Sequence, residues 1–269
     1  MSKISLAATA SKLRSFSRSV SAVTTHLVSF APAPFKKAPT TWRGWLVWFV
    51  ATAVFLVVSL YLWYAACIMW WKVMPVQNTA FMRADLSLLR QSNDGAVIKH
   101  DWVDYKDISI HMKRAVITSE DANFEEHEGV DWDAIQKARE RNAKRGKVIA
   151  GGSTITMQLA KNLFLSSARS YVRKGEELVI TYMLETILDK ERILEMYLNS
   201  AEFGVGVFGV QAGAQHHFGV TARQLSATQA ARLAAMLPRP KFYDKNRSSA
   251  YLQKRTHSIA SRMGGVEVP

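Results

Sequence analysis

The chain has 269 residues, is 48% hydrophobic and 21% charged, and carries a formal net charge of +13. That length suits one domain of ordinary size, or one domain plus an anchor, and the hydrophobic content excludes a wholly disordered chain. A single cysteine, Cys67, excludes a disulfide-stapled scaffold, while the positive balance points to anionic partners such as nucleic acid, phospholipid headgroups or phosphorylated substrates.

Residues 1–43 are rich in Ser, Ala and Thr, carry Lys3, Lys12, Arg14, Arg18, Lys36, Lys37 and Arg43, and contain no acid. They read as a flexible, basic cytoplasmic tail. Mitochondrial presequences share that composition, but the motifs described below argue against one. Residues 44–71 follow as a transmembrane helix. Between Trp45 and Trp71 the only ionisable side chains are Tyr61, Tyr64 and Cys67, and about 20 apolar residues cross a bilayer core. Trp45, Trp48, Trp70 and Trp71 mark its ends, where indoles favour the headgroup region. The run is too long and starts too late for a cleaved signal peptide. Its basic flank stays in the cytoplasm, which places the larger C-terminal part outside.

Residues 72–269 form one domain without an internal repeat, with its core expected over 105–242. The apolar spacing predicts helices over 105–119 and 131–141, then one capped by Ser153 and running to Leu165. A long helix capped by Ser167 or Ser170 reaches Leu188, and Asp189 caps another through Leu198. Gly204, Gly206 and Gly209 mark a loop. Two more helices follow, Val210–His217 and Thr221–Met236, the second stopped by Pro238 and Pro240. Strand signals are limited to 96–98 and 205–207, so the domain is mainly α.

Three constellations could carry chemistry. In the first, Glu120, Asp121, Glu125, Glu126, Glu128 and Asp131 crowd one short segment with Phe124, His127 and Gly129. Repulsion and partial burial raise at least one of these pKa values, which suits general acid/base work on a sugar hydroxyl; a solvated acidic helix end has the same look. In the second, Gly151-Gly152-Ser153-Thr154 precedes a helix on which Thr154, Gln158 and Lys161 share a stripe. This is either a phosphate cradle or an ordinary capped helix with a surface lysine. In the third, Arg169, Arg173 and Glu177 line one helical face. They are either cations for a pyrophosphate beside a second carboxylate or a plain i,i+4 ion pair. His216-His217 lacks the partners of a metal site. The basic run 137–147 has too few aromatics for a nucleic-acid stacking platform, so no nucleic acid is expected.

Taken in order, these segments resemble the peptidoglycan glycosyltransferase family, which polymerises lipid II. The match runs through Glu120-Asp-x-x-Phe-x-x-His-x-Gly-x-Asp131, Gly151-Gly-Ser-Thr-Ile-Thr-x-Gln158-x-x-Lys161-Asn and Arg173-Lys-x-x-Glu177. It continues through Arg192-Ile-Leu-Glu-x-Tyr-Leu-Asn199, Phe203-Gly with Gly206-x-x-Gly209, and Leu233-Ala-Ala-x-Leu-Pro238-x-Pro240. With no transpeptidase domain following, the chain is similar to the monofunctional biosynthetic transglycosylases of the bacterial inner membrane, with the catalytic domain periplasmic. The resemblance implies a lysozyme-like glycosyltransferase fold with a membrane-associated lobe over about 125–150. It implies an inverting transfer that releases polyprenyl pyrophosphate, with lipid II and the growing glycan-lipid as substrates. By the family pattern Glu120 is the general base and Glu177 acts on the donor side. Lys161 and Arg169 hold the pyrophosphate, with Arg173 in support. Asp121, Phe124, Ser153, Thr154 and Gln158 shape the substrate pocket. No tightly bound cofactor is implied, only a possible Mg²⁺ or Mn²⁺ ion at the pyrophosphate, and no protein ligand set for it is visible. Membrane lipid and wall-synthesis or division proteins are the expected partners. Met157 replaces a usual glutamine and His217 a usual tyrosine. A cleaving enzyme on the same fold and a non-catalytic membrane scaffold are the competing readings.

Overall fold

The structure, a computed structural model, describes residues 39–147, 151–166 and 170–269. Most of the basic tail, Ser167 and Arg169 lie outside the described residues. The chain divides into two compact units between Tyr64 and Ala65.

The first helix, α1 (Trp42–Trp71), begins where the Thr41 hydroxyl accepts a hydrogen bond from the Gly44 amide, 3.2 Å. It is long and apolar enough to cross a membrane. Its first turns carry an aromatic cluster of Trp45, Trp48 and Phe49, with edge-on Trp45–Trp48 rings 5.8 Å apart.

In the second unit, the end of α1 is tied down through its backbone. The last carbonyls of a helix have no partner within it. Arg192 supplies one, donating from Nε and Nη2 to the Trp71 carbonyl (2.9 and 2.7 Å) and from Nη2 to that of Met74 (2.6 Å). Ile68 is fully buried nearby and the Trp71 ring lies against Phe164.

The helices that follow are α2 (Ala80–Ser92), α3 (Ile110–Glu120), α4 (Trp132–Arg145), α5 (Ile155–Phe164), α6 (Tyr171–Ile187), α7 (Lys190–Ser200), α8 (Val210–Phe218), α9 (Ala227–Met236), α10 (Pro240–Lys245) and α11 (Ala250–Ala260). Side-chain caps explain most of the starts. Thr79, Ser109, Asp131, Thr154, Ser170, Asp189 and Ser226 each accept a bond from the first turn of the helix they precede.

Several expected boundaries move for that reason. The segment 105–119 is not one helix: a 3₁₀ turn at Tyr105–Asp107 precedes a fresh start capped by Ser109. Similarly, Thr221–Met236 breaks into a 3₁₀ turn and the helix capped by Ser226. Thr154, not Ser153, caps α5. α2 carries no expectation from the sequence.

Strands β1 (Lys99–His100), β2 (Glu202–Gly204) and β3 (Val207–Phe208) form a small sheet in the order β1-β3-β2, displaced from the expected runs at 96–98 and 205–207. Lys99 pairs with Val207 in parallel, and Glu202 with Phe208 antiparallel. Gly209 turns this sheet into α8 at φ +82°, where a Cβ would stand 2.8 Å from the Asn199 carbonyl oxygen.

The core has two layers of contact. α9 presents Ala230, Ala231, Ala234 and Ala235, all fully buried, and these small side chains let it lie close against both α3 and α11. α5 buries Ile155, Met157, Leu159 and Leu163 against α6 and α7. The packed core thus runs past residue 242 through α11. Met157, the departure from the family glutamine, belongs to this core and not to a pocket wall. His217, the other departure, bonds the Phe203 carbonyl at 2.7 Å.

Candidate active site

Glu120 is the last residue of α3, where the helix dipole presents its negative end. A carboxylate there needs donors, and it has them. Ser119 Oγ donates to one oxygen and Gln158 Nε2 to the other, both at 3.0 Å. The Gln158 amide is itself oriented by Tyr197, whose hydroxyl donates to Oε1 at 3.0 Å. Tyr197 is buried, and burial pushes its phenol well above the ordinary range, with Glu120 and Asp121 adding to the rise, so it remains a proton donor. A chain of hydrogen bonds from α7 through α5 therefore fixes the carboxylate of α3. Glu120 opens onto a cavity of about 510 Å³ lined also by Ser119, Arg141, Ser153, Gln158, Tyr251 and Arg255.

The other acids of the first constellation do different work. Asp121 is buried: its Oδ2 accepts from the Ile155 amide at 3.0 Å and its Oδ1 bonds His127 Nε2 at 2.9 Å. The N-terminus of α5, the expected anion cradle, thus receives an anion from the chain itself. Asp131 caps α4 and also accepts from Asn123 Nδ2. Phe124 is fully buried under the Lys190 ammonium, 4.6 Å from its ring centroid, and does not line the cavity that holds Glu120. Thr154 is likewise enclosed, with its hydroxyl donating to the Gly129 carbonyl (2.6 Å) and accepting from the Met157 amide. Asp121, Phe124 and Thr154 therefore shape the site from behind. Of the expected pocket residues, Ser153 and Gln158 face the cavity that holds Glu120, and Asp121 borders a smaller one beside it. The expected pKa rise falls on Glu125, where burial drives it, Lys190 opposes it, and Glu267 and Glu185 reinforce it.

Lys161 lies three residues beyond Gln158 on α5, about 4.5 Å along the axis, with Nζ 5.4 Å over the Phe81 ring. Burial pulls its ammonium below the ordinary value; Glu177 opposes this, while Arg173 and Lys174 add to it. Glu177 is buried on α6 and holds two cations, Arg173 Nη1 at 2.6 Å and Lys174 Nζ at 2.5 Å. The i,i+4 pair read from the sequence is present, joined by a lysine the sequence reading did not use. Arg173 and Lys174 also line a separate cavity with Ser170 and Tyr171.

Two groups escaped the sequence reading. Arg255 donates from Nη2 to Ser119 Oγ at 3.2 Å and stands 3.9 Å from Glu120 Oε1. Asp244 joins His216 and His217 in a cluster of ligand-type atoms within 4.8 Å of one another, where the sequence offered no third partner. There Arg247 donates to Asp244 and contacts His216, so a guanidinium already meets the carboxylate. The His216 ring nitrogen, 2.8 Å from Asp244 Oδ1, then Arg247 and the Val205 amide offset burial and hold Asp244 down to about 2.

The sequence model of the transglycosylase family matches residues 87–264. A biosynthetic peptidoglycan transglycosylase of Herminiimonas arsenicoxydans is 57% identical over 227 residues, covering 84% of this chain and 98% of that protein. Proteins of the same description from Methylobacillus flagellatus and Bordetella pertussis are 53% and 52% identical. They cover 85% and 86% of this chain, and 97% and 99% of their own lengths. With a family match across most of the chain and relatives aligned nearly end to end, this protein belongs to the transglycosylase family.

Proposed function

We propose that the protein is a membrane-anchored peptidoglycan glycosyltransferase that polymerises lipid II. One observation carries the reading: along α5, Gln158 orients the Glu120 carboxylate and, one turn on, Lys161 enters the cation group of Arg173 and Lys174. Helix α5 thus links the Glu120 carboxylate at the end of α3 with the cations of α6.

Glu120 accepts the proton of the acceptor 4-hydroxyl as its oxygen bonds the donor anomeric carbon. The bond from that carbon to the pyrophosphate oxygen breaks, and the electron pair leaves with the polyprenyl pyrophosphate. Attack and departure on opposite faces invert the centre. Charge grows on the leaving group, where cations fixed in advance stabilise it most; Lys161 and Arg173 supply it, with Arg169 as a third candidate. An arriving anion also opposes the burial that pulls the Lys161 ammonium below its ordinary value. General-base assistance contributes about 10²–10⁴-fold, and positioning with charge stabilisation supplies the rest. Glu177 acts on the donor side by holding Arg173 and Lys174 in place. Because these cations occupy both of its oxygens, an Mg²⁺ or Mn²⁺ ion would be ligated by phosphate oxygens rather than by Glu177.

Helix α1 is the single-pass anchor. The basic flank before it supports a cytoplasmic N-terminus and a catalytic unit on the periplasmic side of a bacterial inner membrane. The exposed basic residues of α4, among them Lys137, Arg139, Lys144 and Arg145, suit an anionic lipid surface. The test is incubation of the purified full chain with labelled lipid II in detergent. Long glycan that lysozyme digests, formed with release of polyprenyl pyrophosphate, supports the reading. Release of soluble muropeptides from sacculi with no polymer overturns it in favour of cleavage.

A further inference from the structure

Helix α11 lies beyond the expected core, and neither proposed carboxylate sits on it. Tyr251 and Arg255, one turn apart on α11, both line the cavity that holds Glu120. The Tyr251 ring lies parallel to Tyr243, at 8° with centroids 6.4 Å apart. Tyr243 is 5% exposed and Tyr251 60%, so a buried ring backs an open one. An aromatic surface beside a carboxylate, in a cavity lined also by Pro238 and by hydroxyl, amide and guanidinium groups, fits a ligand with an apolar C–H face and polar edges. A pyranose ring has that form.

Arg255 holds the edge of the same cavity. Its Nη2 bonds Ser119 Oγ, whose hydroxyl bonds Glu120. Its Nε is buried and has no hydrogen-bond partner among the described residues.

We propose that this face of α11 is the acceptor-sugar subsite, with Tyr251 the platform for the pyranose that bears the attacking hydroxyl and Arg255 a positioning residue for Ser119 and Glu120. The inference rests on Glu120 acting as the base. It places the acceptor on the α11 side of that carboxylate.

The test uses the full chain in detergent with preformed glycan-lipid as donor and lipid II as acceptor, each varied in turn while the other is saturating. Tyr251→Ala raises the acceptor KM about tenfold and leaves kcat and the donor KM within about twofold, whereas Tyr251→Trp and Tyr251→Phe keep the acceptor KM near wild type. Arg255→Ala lowers kcat about tenfold with little change in either KM, and free guanidinium recovers part of the loss. An unchanged acceptor KM in folded Tyr251→Ala, or donor and acceptor KM values rising together, overturns the subsite. An unchanged kcat in Arg255→Ala overturns the positioning role. Wild type and Glu120→Gln run in parallel. If wild type polymerises and Glu120→Gln does not, failure of the α11 variants counts against the subsite alone. If Glu120→Gln polymerises like wild type, the base assignment itself fails and takes the subsite with it.

Discussion

Tyr197→Phe removes one hydroxyl and leaves a buried ring of the same shape, so packing is preserved. What disappears is the donor to Gln158 Oε1. That amide oxygen then lacks its partner in a half-buried position, which costs about 1–3 kcal/mol of stability; 1 kcal/mol lowers the melting temperature of a domain this size by about 2–4 °C. The effect on rate follows from orientation. With Tyr197 present, the Gln158 amide points oxygen to α7 and nitrogen to Glu120. Without it only the bond to Glu120 aims the amide, and the side chain is free to swing about that single contact. The loss of aim is worth about 1–2 kcal/mol in the transition state, or about five- to thirtyfold in kcat. Initial rates of lipid II polymerisation, measured beside thermal melts, read both quantities. A variant with a lowered melting temperature and a wild-type kcat would refute the reasoning, because the Tyr197–Gln158–Glu120 chain would then be structural only.

Further predictions concern charge and packing around the site. Glu202 lies in a cluster with Asp85 and Lys241, and burial pushes its carboxyl from 4.5 up to about 7, Lys241 opposing and Asp85 reinforcing. A raised carboxylate pKa favours the protonated folded state, so its contribution is present below about pH 4.5 and lost as pH rises through 7. The difference of 2.5 corresponds to about 3 kcal/mol as an upper figure. Glu202→Gln therefore raises the melting temperature at pH 8 and has little effect at pH 5; equal shifts at both would contradict the cause. Gly152→Ala places a Cβ 2.7 Å from the Ile135 backbone. This forces apart α4 and the segment carrying Ser153, lowering stability by about 1–3 kcal/mol along with polymerisation rate. A variant as stable and as fast as wild type would show that this segment yields freely.

Local signals made much of this fold legible. Ser170, one of the two caps expected, and Asp189 cap the helices expected of them because a short polar side chain before an apolar-periodic run has one good use there. Glu120, Gln158 and Lys161 stood out by motif, and the structure brings Glu120 and Gln158 into contact. Other features depend on tertiary partners. Asp121 and Thr154 have the residue types of a binding site, but one caps α5 from a distance and the other caps it directly, and no spacing rule separates those uses. The caps at Ser109 and Ser226 interrupt runs whose apolar periodicity continues across them. Arg255 reaches Ser119 from 136 positions along the chain. It belongs to no motif read near the carboxylates, so only the packing of α11 on α3 and α9 reveals it. The strands, two or three residues long, are set by pairing across Gly206 and Gly209 rather than by alternation.

The proposed role of Glu120 as the base of a polymerising transferase rests on its place in the cavity and its bond to Gln158. Its most direct test is polymerisation of labelled lipid II by wild type beside Glu120→Gln, each checked for folding by thermal melt. The substitution is nearly isosteric, and Gln cannot take the acceptor proton. Long glycan is expected from wild type and none from a folded variant. Glycan formed by folded Glu120→Gln at the wild-type rate would contradict that role.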